Sequence, residues 1–212
     1  MQNATLVIKQ GKTVAVGANI TVPKDAVVID CKGKYIYPSF IDAYSDYGIT
    51  APQRQQGSGF NFFAGQFNSN QKGAYGWNQA IRTDINAVAI FAADDAKAKP
   101  LRDLGFGTVL THQKDGIARG TGAVVTLANK KENLVVVKDK ASAHYSFNKG
   151  VSTQSYPNSM MGYVAVLRQN FLDAQWYKNN PAAEGDHPSA GRTPVLSERT
   201  LPPHAIQRAG AG

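Results

Sequence analysis

The chain has 212 residues and a formal net charge of +8, with 42% apolar and 18% charged residues. These proportions fit a globular protein with one sizeable core or one and a half small domains and exclude a wholly disordered chain. The single cysteine, Cys31, excludes an internal disulfide and any cysteine-based zinc module. No apolar run is long enough to span a bilayer, so no membrane span is expected. Residues 1–5 show no basic region followed by an apolar stretch, so no signal peptide is read there. A strand-like pattern begins at once, and further sequence upstream is expected. The lysines are scattered, from Lys9 and Lys12 to Lys138 and Lys140. Neither an arginine-rich helix nor an RNA-binding aromatic pair accompanies them, so no nucleic-acid partner is expected.

Residues 4–8, 13–16, 26–30 and 35–37 read as short strands separated by glycine turns at 10–12, 17 and 32–34. They predict a small antiparallel or sandwich lobe over 1–38. Residues 34–48 read KYIYPSFIDAYSDYG. An apolar step at Phe40 and Ile41 runs there into the oxygen-bearing side chains of Asp42, Tyr44, Ser45 and Asp46. Asp42, Tyr44 and Asp46 alternate, which places them on one face of an extended strand. Barrel enzymes present their chemistry at such a strand's C-terminal end.

Residues 49–80 predict a long irregular loop over a barrel mouth, with a stretch at 57–76 rich in Gly, Asn, Gln and Phe. Helical spacing follows over 81–92 and 94–104, disturbed at Pro100 and ended at Gly105. Residues 106–111 read as a β-branched strand, so helix, glycine and strand make half of a βα repeat. Residues 120–128 and 133–137 predict a β-hairpin over 120–137. Met161, Val164, Leu167, Phe171 and Leu172 follow 3.6-residue spacing and predict a helix over 158–179, capped by Asn158 or Ser159. The tail, 181–212, holds half of the ten prolines and no lysine or asparagine. It reads as disordered, and so abrupt a shift also fits a reading-frame error or a chimeric gene end.

Several motifs stand together in one order. Residues 3–17 (NATLVIKQGKTVAVG) resemble the opening β segment of the amidohydrolase superfamily. Residues 28–42 (VIDCKGKYIYPSFID) resemble that family's strand, turn and first barrel strand, with Ser39 where glycine is usual. Residues 101–110 are similar to its helix–glycine–strand step. The run at 120–125 and the segment 156–162 leading into 167–169 resemble the bacterial, often exported, imidazolonepropionase-like subgroup. The resemblance covers residues 3–179 and only the N-terminal portion of such a protein.

What the resemblance implies is a mixed α/β chain: a β-sandwich lobe at 1–38, an incomplete TIM-type β/α barrel at 39–180, and a tail. Such enzymes hydrolyse carbon–nitrogen bonds other than peptide bonds with water activated by divalent metal, usually zinc. Their His-x-His pair corresponds here to Tyr44 and Asp46. A phenol is a poor zinc ligand. Asp46 and Asp42 remain as oxygen donors, Asp42 reading rather as a strand-end hydrogen-bond acceptor. His112, just after the 106–111 strand, is the remaining acid/base or ligand candidate, while His144 reads as structural and Arg168 as an ion-pair partner of Asp173.

A complete barrel takes about 250 residues, so a truncated chain is expected, inactive alone and not binding the metal itself. The alternative is an inactive amidohydrolase-like scaffold or partner-binding module. The rest of the barrel or an amidohydrolase partner subunit is the expected partner. Alone, the chain is expected to be poorly soluble because its strand edges stay uncovered. The subgroup implies export.

Overall fold

The computed structural model describes residues 3–53 and 78–179. The expected disordered tail and most of the expected 49–80 loop lie outside the described residues. The chain divides into two compact units, Met1–Pro38 and Ser39–Gly212.

In the first unit, β1 (Thr5–Lys9) and β2 (Lys12–Gly17) pair antiparallel, with Leu6 opposite Val16 and Val7 opposite Ala15. Gln10 and Gly11, both at positive φ, make the tight turn between them. The expected strands at 26–30 and 35–37 are not formed. The turn between them is: Asp30 Oδ1 accepts the Lys32 N–H at 2.8 Å, and Gly33 has φ +75°. β-branched sequence becomes a strand only against a partner ladder. Val27, Val28 and Ile29 have no such ladder among the described residues and are exposed.

The second unit is mixed α/β. Its four-stranded sheet has the order β3 (Phe40–Ser45), β4 (Phe106–Thr111), β5 (Ala118–Thr126), β6 (Val136–Tyr145). β3 and β4 run parallel, joined through α2 (Asp95–Asp103). Asp94 starts that helix by accepting the N–H groups of Ala96 and Lys97. Pro100 sits inside it without ending it. Arg102 braces the far end, reaching Asp95 and the Leu127 carbonyl, each at 2.7 Å. Gly105 at φ +93° turns the chain back, and its carbonyl accepts from Phe40 to open the parallel ladder.

β4–β5 and β5–β6 are antiparallel, so the sheet continues as a hairpin and does not close into a barrel among the described residues. That hairpin differs from the predicted one. Residues 133–135 form a turn of helix, α3 (Glu132–Val135), and the return strand lies later, ending at Tyr145. The expected helix over 81–92 shrinks to α1 (Ala87–Ile90). β5 takes the backbone groups that a longer helix would have used. Arg82 donates to the Ala118 carbonyl at 2.7 Å, and Ile85 accepts from Thr121 at 2.9 Å.

The last helix, α4 (Met160–Asn179), starts directly after Ser159, whose Oγ accepts the Gly162 N–H. Its Val166 packs against Ile81, Ile117 and Ala118. A second cluster, with Tyr47, Phe91, Val109, Val125 and Leu127, fills the side of the sheet carrying α1 and α2. The expected Arg168–Asp173 pair is not formed. Asp173 instead accepts from Gln169 at 2.7 Å. Four residues bring side chains to one helix face and five do not.

Candidate functional site

The C-terminal ends of β3 and β4 lie side by side, Ser45 opposite Thr111, and His112 donates its N–H to the Ser45 carbonyl. Because β5 runs the other way, it begins at this same rim, and β6 ends there with Tyr145 opposite Ala118. Four neighbouring strands therefore deliver one polar side chain each: Tyr44, His112, Arg119 and His144.

These groups are in direct contact. His112 and His144 stack face to face, ring centroids 3.6 Å apart and planes within 4°. Tyr44 meets His112 edge-on at 4.9 Å. Arg119 Nη1 donates to Tyr44 Oη at 2.8 Å, and Arg119 Nε donates to the Gly116 carbonyl at 3.1 Å. Lys114 lies over the Tyr44 ring at 4.7 Å and bonds Asp46 Oδ1 at 3.3 Å. Ser142 Oγ and His144 Nε2 are hydrogen-bonded at 2.7 Å. Gly122 makes room for this pair, since a Cβ there would stand 2.5 Å from His144 Nε2 and 2.6 Å from Ser142 Oγ.

Burial first, and then neighbouring cations, disfavour the charged form of both imidazoles. Burial lowers His112 to about 4, with His144, Arg119 and Lys114 adding to the effect and Asp46 opposing it. His144 is lowered by burial and then by Arg119. His112 is fully buried, and neither of its ring nitrogens has a hydrogen-bond partner among the described residues.

Of the residues singled out in the sequence, Tyr44, Asp46 and His112 come together, Lys114 linking the first two. Asp42 does not join them through Lys114; its Oδ1 accepts the Tyr44 N–H at 2.9 Å. The β3–β4 register shifts between Asp42 and Ser45, which breaks the strict alternation expected of Asp42, Tyr44 and Asp46. His144, read as structural, belongs to the cluster. Arg119 and Lys114 carried no sequence signal beyond their charge. The glycines inside β5 were the available clue, because glycine within a strand marks a close approach.

The residues present do not fit a divalent metal. No group of three or more His, Cys, Asp or Glu converges among the described residues. Imidazole lone pairs lie in the ring plane, and two near-parallel stacked planes share no point for one ion. Tyr44 Oη and Asp46 Oδ1 each already face a cation.

No protein-family model matches the chain, and no curated protein matches it. Its fold is similar to that in the crystal structure of an amidohydrolase from Thermotoga maritima MSB8, with a TM-score of 0.61 and 22% identity. The match covers 95% of this chain and 49% of that one, so the chain spans about half the length of that amidohydrolase. The likeness establishes an amidohydrolase-like fold.

Proposed function

We propose that this chain is an amidohydrolase-like scaffold whose first-strand position binds a ligand or partner and does not carry out metal-dependent hydrolysis. One observation carries the reading: Arg119 is bonded to Tyr44, and Lys114 to Asp46, at the two positions where the family's sequence pattern has metal-binding histidines. Unit like charges about 4 Å apart repel by about 4 kcal/mol at an effective dielectric constant of about 20, and a divalent ion doubles that. Two cations on the donor atoms therefore oppose the ion that the hydrolytic chemistry needs.

Elemental analysis of the purified chain tests this. Metal well below one equivalent after growth with zinc is expected. One tightly held equivalent, lost in Asp46→Asn, overturns the reading.

A second reading is favoured by the amidohydrolase-like fold and by the half-length match. Here, metal-activated water hydrolyses a carbon–nitrogen bond in a complete barrel, and further elements or an amidohydrolase partner subunit supply the ligands. The segments 120–125 and 156–169 support the imidazolonepropionase-like subgroup for such a protein. Assaying the chain with and without such a subunit separates the two readings.

A further inference from the structure

We infer that the rim cluster of Tyr44, His112, Lys114 and Arg119 is a binding site for a small oxyanion, a carboxylate or a phosphate. The inference rests on the reading that this position is not a metal centre, and it names the ligand.

Arg119 carries the argument. It is only 7% exposed. Its two hydrogen bonds go to neutral oxygens, the Gly116 carbonyl and Tyr44 Oη, and no carboxylate pairs with it among the described residues. A buried charge without a counter-charge is strongly unfavourable. The groups that match a guanidinium fork are carboxylate and phosphate.

His112 points the same way by an independent route. It is fully buried and both ring nitrogens lack partners. A neutral imidazole offers one N–H donor, and leaving a buried donor unmatched is unfavourable. An oxyanion beside His112 and Arg119 satisfies that donor and the guanidinium together.

Lys114 adds to the positive field. Its acid, Asp46, has a side chain 62% exposed, so this pair is weak. Lys114 and Arg119 against Asp46 leave one net positive charge. Binding of one small anion neutralises it. The rim that holds a cation in a hydrolytic barrel is here built with opposite polarity.

The test titrates the full chain with sodium acetate and, separately, inorganic phosphate, by calorimetry and by NMR of the imidazole resonances. One saturable site is expected, with the His112 ring signals moving most. Arg119→Met, which keeps the aliphatic stem, should weaken binding about 10- to 100-fold, as loss of a charged hydrogen bond predicts. Arg119→Lys, which keeps charge but not the fork, should weaken it less. Saturation by acetate alone names a carboxylate ligand, and saturation by phosphate alone names a phosphate. The inference is overturned if neither anion saturates, or if Arg119→Lys and a folded Arg119→Met bind as tightly as the parent. Should Arg119→Met not fold, undiminished binding by Arg119→Lys decides against it. Metal content is read on the same sample. Little metal with no anion binding sinks this inference alone, whereas one tight equivalent of metal sinks the reading beneath it.

Discussion

Protonation of His112 should destabilise the folded chain, and the size of the effect follows from its surroundings. Its folded value is near 4, against 6.5 for an unperturbed histidine, chiefly because burial disfavours the imidazolium. The unfolded chain therefore binds more protons between these two values. Stability contributed by neutral His112 is complete above about pH 6.5 and is lost as pH falls toward 4. At pH 5 the loss is about 2 kcal/mol, and it approaches about 3 kcal/mol below pH 4. His144, lowered in the same direction, adds to it. Urea unfolding at intervals from pH 7 to pH 4.5 measures the slope, and His112→Gln supplies the reference that cancels the carboxylates. The parent should lose about 2 kcal/mol more than His112→Gln between pH 7 and pH 5. Parallel curves for the two proteins would refute the reasoning, because they would mean His112 titrates alike folded and unfolded.

Other expectations follow from single contacts. Gly122→Ala forces a Cβ to 2.5 Å from His144 Nε2. It should cost about 1–3 kcal/mol and shift the His112 ring resonances as the stack is displaced, as thermal melts and NMR would show. Leu127→Ala empties a site that is 1% exposed in the core beneath α2, and a loss of about 2–5 kcal/mol in urea unfolding is expected. Ile41 is 69% exposed on β3, at the edge of the sheet. Ile41→Lys should change stability by no more than about 0.5 kcal/mol while reducing self-association measured by light scattering, since a charge on an edge strand opposes edge-to-edge pairing.

Elements whose signals are local were legible in the sequence. The 106–111 strand is β4 to the residue, because Gly105 punctuates its start and β-branched residues fill it. α4 follows from its apolar spacing and the Ser159 cap, and the turn at 30–34 from Asp30 and Gly33. The parallel β3–β4 pair, with its intervening helix, was implied by helix, glycine and strand in sequence. The resemblance to amidohydrolases agrees with the fold of the Thermotoga structure.

What the sequence left open depends on partners far away in the chain. Residues 26–30 and 81–92 carry apolar patterns that suit a strand and a helix. The first finds no ladder among the described residues, and the second yields its backbone bonds to β5. The candidate site divides in the same manner. Tyr44, Asp46 and His112 could be singled out by type and by position at strand ends. The parts that decide the site's chemistry could not. The His112–His144 stack joins residues 32 positions apart, and the Arg119–Tyr44 bond spans 75. Side-chain identity and local period are properties of the chain alone. Charge balance and the direction of a lone pair exist only once the sheet has set its order and register, and here they bring Arg119 onto Tyr44 and Lys114 onto Asp46.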